Sequence, residues 1–103
     1  TYGFSRDDIG KFIGHYKKMS ILSSDPFQHI DQEGVGELMR IAISKARQVK
    51  PNLSIGICGE VGGDPSSISF FQGIGVTYVS CSPYRVPAAR LAVAQAAFEE
   101  NKD

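Results

Sequence analysis

The chain has 103 residues, with 11 basic side chains, 11 acidic side chains and 42% hydrophobic residues. That size suits one small domain or a part of a larger one. The even charge balance argues against a nucleic-acid surface, which calls for a basic excess. No apolar run approaches the roughly 20 residues of a spanning helix, so neither nucleic acid nor a membrane is an expected partner.

The chain opens Thr1-Tyr2-Gly3-Phe4-Ser5-Arg6, without an initiator Met, a basic leader or an apolar stretch. This is not a signal peptide, and it fits a fragment or a processed chain. Ser5-Arg6-Asp7-Asp8 follows the S-x-x-D helix-start pattern. Ile9, Phe12, Ile13 and Tyr16 continue at helical spacing, which predicts one short amphipathic helix ending near Lys17 or Lys18. Arg6, Asp7 and Asp8 read as a solvated or capping cluster. Ser23-Ser24-Asp25-Pro26 reads as a loop, because Pro26 disfavours helix at Asp25.

The clearest helix is expected from Gln32 to Val49. Val35, Leu38, Met39, Ala42, Ala46 and Val49 form its apolar stripe, which reads as core packing; Glu37, Arg40, Ser44 and Arg47 lie largely opposite. Leu53 to Cys58 reads as a strand, with Ile55 and Ile57 on one face and Gly56 and Cys58 on the other. Asp64 suits an N-cap and Pro65 a first helical position, so a helix is predicted from Pro65 to about Gln72, ended by Gly73 or Gly75. Val76 to Cys81 is the next strand. Ser82 is expected to cap a final helix from Val86 to Glu99, whose alanines favour helix and close packing. Asn101-Lys102-Asp103 reads as a polar, fraying end.

From Gln32 onward the order is helix, strand, helix, strand, helix, which implies parallel strands with right-handed crossovers. Two strands do not make a stable sheet, and a parallel sheet needs both faces covered. The chain therefore reads as the tail of something larger.

Two dense runs sit where the strands end: Cys58-Gly59-Glu60-Val61-Gly62-Gly63-Asp64-Pro65 and Tyr78-Val79-Ser80-Cys81-Ser82-Pro83-Tyr84-Arg85. A thiol delivered to a strand's C-terminal tip, followed by a glycine turn into a helix, is the layout of an active-site edge in a parallel α/β protein. Two cysteines are too few for a disulfide scaffold; one bridge between neighbouring strand ends is geometrically possible, but free thiols are the better reading. His15 and His29 have no partner at metal spacing. For Cys58 alone, a packed small hydrophobe and a functional thiol both stand. Cys81 reads as a packed thiol beside the site. Arg85 is open between an anion contact, an ion pair and a subunit contact.

The two runs, with Val86-Pro87 and Ala89-Arg90-Leu91-Ala92 after them and Tyr2-Gly3-Phe4-Ser5-Arg6-Asp7-Asp8 and Asp25-Pro26-Phe27 before them, resemble the C-terminal part of the pyruvate, phosphate dikinase family of phosphoenolpyruvate-utilising enzymes. The resemblance covers nearly the whole chain. It implies that residues 1–103 are a C-terminal fragment of the domain that binds phosphoenolpyruvate or pyruvate, an α/β fold forming the C-terminal portion of a (β/α)8 TIM barrel (the last two β/α units plus the preceding helices). It further implies the interconversion of pyruvate, ATP and phosphate with phosphoenolpyruvate, AMP and diphosphate by the intact protein. The expected partners are phosphoenolpyruvate or pyruvate, the remainder of the longer enzyme, and a second copy in a homodimer.

In that family the cysteine matching Cys58 exchanges a proton with the methyl carbon of pyruvate. Gly59, Glu60, Gly62 and Gly63 are the expected substrate-binding or supporting residues. Magnesium is the expected cofactor, with its ligands before Thr1 and no metal ligand in this chain. Where the family usually carries His after the Cys-Gly-Glu, this chain has Val61, which removes a polar neighbour of the site. The compartment stays open between cytoplasm and an organelle.

The chemistry suits a thiol. An ordinary cysteine titrates near about 8.5, so it is mostly protonated at neutral pH and can hand a proton to an enol. Apolar surroundings or a nearby carboxylate keep it so, and Glu60 is two residues away. The three glycines let the chain turn sharply and leave room for substrate. The competing expectation is a non-catalytic remnant or oligomerisation module derived from such an enzyme, with the fragment inactive by itself.

Overall fold

The computed structural model describes residues 3–100. Tyr2 of the opening motif and the polar end expected at Asn101-Lys102-Asp103 lie outside the described residues. The elements are α1 (Arg6–Ile9), α2 (Ile13–Lys18), α3 (Gly34–Val49), β1 (Gly56–Ile57), α4 (Pro65–Gly73), β2 (Tyr78–Val79) and α5 (Val86–Glu100). Single 3-10 turns at Glu60–Gly63 and Pro83–Arg85 lead into α4 and α5.

The two strands pair in parallel, Gly56 opposite Tyr78 and Ile57 opposite Val79, with α4 as the crossover. The regular ladder is shorter than the six-residue runs suggest. Thr77 explains part of this: its Oγ1 accepts from the Ile55 amide at 2.8 Å and donates to the Ile55 carbonyl at 2.7 Å. A side chain thus takes a donor that a ladder carbonyl would otherwise receive. Beyond it, the Thr77 amide still donates to the Ile55 carbonyl, and the Ser80 amide to that of Ile57.

Burial alternates along β1 as the pattern predicts. Leu53, Ile55 and Ile57 are half-buried while Ser54, Gly56 and Cys58 are exposed. Val79 and Cys81, from the second strand region, pack against Ile68 of α4 and Ala89 and Ala92 of α5. Ala89, Ala92 and Ala96 lie one turn apart and are buried, so α5 approaches α4 closely over Ile68 and Phe71. Burying side chains of that size contributes about 1.5–3 kcal/mol each.

Three helix expectations are corrected. First, the N-terminal helix is two short helices, the first ending at Ile9 where Gly10, a residue of low helix propensity, follows. Phe12 sits at the break, with its ring 4.9 Å from that of Phe4 and 5.2 Å from that of Tyr16. The Ser5 hydroxyl bonds the Asp8 carboxylate at 3.0 Å instead of a backbone amide. Second, α3 docks in a different register. Gly36 and Ile43 are buried and Met39 and Ala46 half-buried, while Leu38, Ala42 and Val49 are exposed. The reason is Gly36: a Cβ there would stand 2.6 Å from Phe70 Cζ, so the missing side chain seats the ring. Arg40 lies over the same ring, 5.0 Å from its centroid. Arg47, expected outside, is half-buried and donates to the Gly75 carbonyl. Third, Ser82 makes no side-chain cap; its carbonyl accepts from the Arg85 amide at 2.9 Å and closes a 3-10 turn before α5.

Candidate functional site

Cys58 follows β1 directly and stands on the exposed face of the strand alternation, at the C-terminal end of the pair. Gly59 turns the chain with φ 102° and ψ −169°, a backbone state that L side chains rarely adopt. Gly62 and Gly63 are buried, and a Cβ at either would meet the Ser80 carbonyl oxygen or the Arg85 side chain. The missing side chains at these two positions admit the loop after β2, so the glycines join the strand-end loops to each other.

The end of the turn is pinned by Asp64. Its Oδ2 accepts from the Ser67 amide at 2.9 Å, from Ser66 Oγ at 2.7 Å and from the Ser67 hydroxyl. Its Oδ1 lies 3.1 Å from His29 Nδ1. Ser67 in turn accepts from the Ile30 amide at 3.0 Å. The N-cap expected from sequence is therefore also the anchor of the loop around residues 25–30. Burial pushes the Asp64 carboxyl up, but the bonds from Ser67, Ser66 and His29 together outweigh it and hold the group below the usual carboxylate value.

That loop builds a cleft. A cavity of about 440 Å³ has Cys58, Gly59, Glu60 and Val61 on one side, and Pro26, Phe27, Ile30 and Val35 contribute apolar wall. Phe4 and Arg6 of the N-terminal segment and Asp31 complete it. Asp31 accepts from the Gly34 and Val35 amides at the start of α3, where the helix dipole favours a carboxylate. Val61 adds an apolar surface to the wall beside Glu60.

The charges sort differently from expectation. Arg6 does not stay with Asp7 and Asp8: its Nη1 reaches Glu60 Oε1 at 2.6 Å. Asp8 pairs instead with Lys11 at 2.9 Å; Lys11 and then Ser5 hold its carboxyl below the usual value. Glu60 makes no hydrogen bond to Cys58 among the described residues. It takes Arg6 on one oxygen, Arg85 Nη1 at 3.5 Å on the other, and Arg85 Nη1 again on its backbone carbonyl at 2.9 Å. Arg85 thus makes an ion pair. Both thiols are free. Cys58 is exposed while Cys81 packs against the α4–α5 cluster, so the alternation sends the two to opposite faces.

Sequence reasoning placed Cys58 and its turn but missed Phe4, Arg6, Ile30 and Asp31 as neighbours. Arg6 and Glu60 are 54 positions apart, and no local periodicity reports such a pairing. Among the described residues, no group of three His, Cys, Asp or Glu side chains could hold a metal ion, and no helix is long and apolar enough to cross a membrane.

The family model described as PEP-utilising enzyme, PEP-binding domain, matches residues 2–98. The chain is 61% identical over 97 residues to a pyruvate, phosphate dikinase of Clostridium symbiosum, covering 94% of this chain and 11% of that protein. It is 60% identical over 95 residues to a chloroplastic pyruvate, phosphate dikinase of Flaveria bidentis, covering 92% and 10%. The corresponding protein labelled 1, chloroplastic, from Arabidopsis thaliana is 58% identical over 95 residues. The chain spans about a tenth of the length of the curated relatives it matches.

Proposed function

We infer the function from one premise: the chain belongs to the PEP-utilising enzyme family and carries sequence of its PEP-binding domain. We propose that residues 1–103 are the closing part of a (β/α)8 barrel in a longer pyruvate, phosphate dikinase. The parallel β1–α4–β2–α5 order fits two successive units of such a barrel. In that protein, pyruvate, ATP and phosphate are interconverted with phosphoenolpyruvate, AMP and diphosphate.

The single observation that carries this reading is the position of Cys58: exposed, at the C-terminal end of β1, on the wall of a cleft that also holds Arg6. In the direction of pyruvate formation, the Cys58 thiol gives its proton to C3 of the pyruvate enolate and is left as the thiolate. The enolate π electrons form the new C–H bond as the negative oxygen becomes the carbonyl. In reverse, the thiolate takes a methyl proton and the C–H electrons move into the enolate. Arg6 offers positive charge to the carboxylate of the same molecule. Gly59 sets the turn that keeps the thiol clear of the helix. Magnesium would neutralise charge on the phosphoryl group in the longer protein. Among the described residues no three His, Cys, Asp or Glu side chains gather to hold it, and no step here runs through the ion.

The test is made in the full-length protein. Cys58→Ala and Cys58→Ser are expected to lower solvent deuterium uptake into the methyl group of pyruvate by at least about 100-fold. Unchanged uptake removes Cys58 from the mechanism and favours a non-catalytic assembly role for this part of the barrel.

A further inference from the structure

Arg85 does not line the cavity that holds Cys58 and Arg6, yet one carboxylate ties it to that cavity. Glu60 faces two guanidinium groups, Arg6 on Oε1 and Arg85 on Oε2. Arg85 also holds the turn itself, through the Glu60 carbonyl. Its stem packs on Gly63, where a Cβ would stand 2.8 Å from Arg85 Cδ. Two positive groups sharing one negative group leave a net charge of +1 on the trio.

The surrounding carboxylates keep their own charge, but among the described residues the ion pairs of Arg6 and Arg85 both go to Glu60. Asp31 is engaged with the amides that open α3. A neighbouring cavity of about 450 Å³ borders Arg6, Glu60 and Arg85, and Asp7, Asp25, His29 and Asp64 also face it. Of these, Asp25 receives the Phe27 amide, and Asp64 is engaged with Ser66, Ser67 and His29. Among the described residues, the only ion-pair partner of Arg6 is Glu60.

We propose that Arg85 is a positioning residue for anion binding in the Cys58 cleft. By offsetting Glu60 and fixing its turn, it leaves Arg6 with positive charge to offer the carboxylate or phosphate of a small acid. Without Arg85, Arg6 and Glu60 form a closed neutral pair, and an incoming anion has to compete with Glu60. The inference deepens the reading given above and rests on it.

The experiment uses the full-length protein with pyruvate as the probe. Arg85→Met is expected to raise the KM for pyruvate roughly fivefold, the scale of one partly exposed charge pair, with a smaller change in kcat. Arg85→Lys, which keeps the charge, should hold KM within about twofold of the parent. Glu60→Gln removes the competitor and should lower KM. The double variant Arg85→Met with Glu60→Gln restores the net charge and should return KM to within about twofold of the parent.

A merely structural role for Arg85 predicts the opposite, with the double variant as impaired as Arg85→Met or worse; that result overturns the proposal. So does a raised KM in Glu60→Gln alone, a readout that stands even where Arg85→Met fails to fold. The two readings fail separately. If Cys58→Ala abolishes exchange but the double variant shows no rescue, only the Arg85 inference falls. If Cys58→Ala leaves exchange intact, the proton-transfer reading falls while the KM pattern still reports the charge arrangement.

Discussion

Asp64 shows how much one residue can decide. It is 8% exposed, and Ser67, one of its donors, is fully buried. Removing the carboxylate would strip α4 of its N-cap and leave the Ser67 hydroxyl without its acceptor. Asp64→Ala is therefore expected to cost about 2 kcal/mol, combining a lost cap with an unsatisfied buried hydroxyl. Urea unfolding at neutral pH measures this. The pH dependence has a definite sign. A carboxyl held below its unfolded value stabilises the fold above that value, and the gain is lost as pH falls through the folded one. Stability should decline as the solution is acidified below about pH 4, and Asp64→Asn should show a flatter decline. The cap was legible from the Asp-Pro pair alone. The tie to His29 was not, because it links a loop to a helix start 35 positions away.

Among the elements, α5 was readable throughout, whereas α3 was readable as a helix but not in its docking face. The alanines of α5 announce a helix, and those at 89, 92 and 96 carry the contact with α4. Ala92→Leu should overpack that contact and cost about 1–3 kcal/mol. Ala94→Leu, on the exposed side, should stay within about 0.5 kcal/mol. Denaturant midpoints of the two variants separate the faces. In α3 the apolar stripe was real, but hydrophobicity alone did not identify the docking face. A glycine did, because Gly36 leaves the hollow that Phe70 fills. An absent side chain adds nothing to a hydrophobic pattern, so such a hollow is invisible until its occupant is known. The short ladder of β1 and β2 has a similar origin in Thr77, whose hydroxyl competes with backbone pairing.

At the scale of the molecule, the packing is open. The radius of gyration is 14.9 Å, above the roughly 13 Å of a compact chain of this length. Leu91 and Phe98 on α5 are 61% and 73% exposed, and Val49 on α3 is 88% exposed. Tyr78 and Gly56 share the uncovered face of the sheet, the tyrosine ring lying over the glycine. A two-stranded parallel sheet with one bare face is a poor isolated unit. The 103-residue chain by itself is expected to self-associate at micromolar concentration, and Leu91→Lys with Phe98→Lys should reduce that association. Sedimentation velocity checks both. A monodisperse monomer with a high melting temperature would contradict this expectation.

Local patterning determined the helix and strand order, the Asp64 cap, the alternation that leaves Cys58 outward, and the family resemblance. Each depends on residues within a turn or a strand of one another, where propensity and periodicity act directly. Tertiary structure alone decided that Arg6 leaves its acidic neighbours for Glu60, that Glu60 serves two arginines instead of the thiol, and that Gly62 and Gly63 make room for the next loop. Those outcomes depend on which distant groups arrive at the strand ends together. Charge and steric fit select among such partners only once the chain has folded.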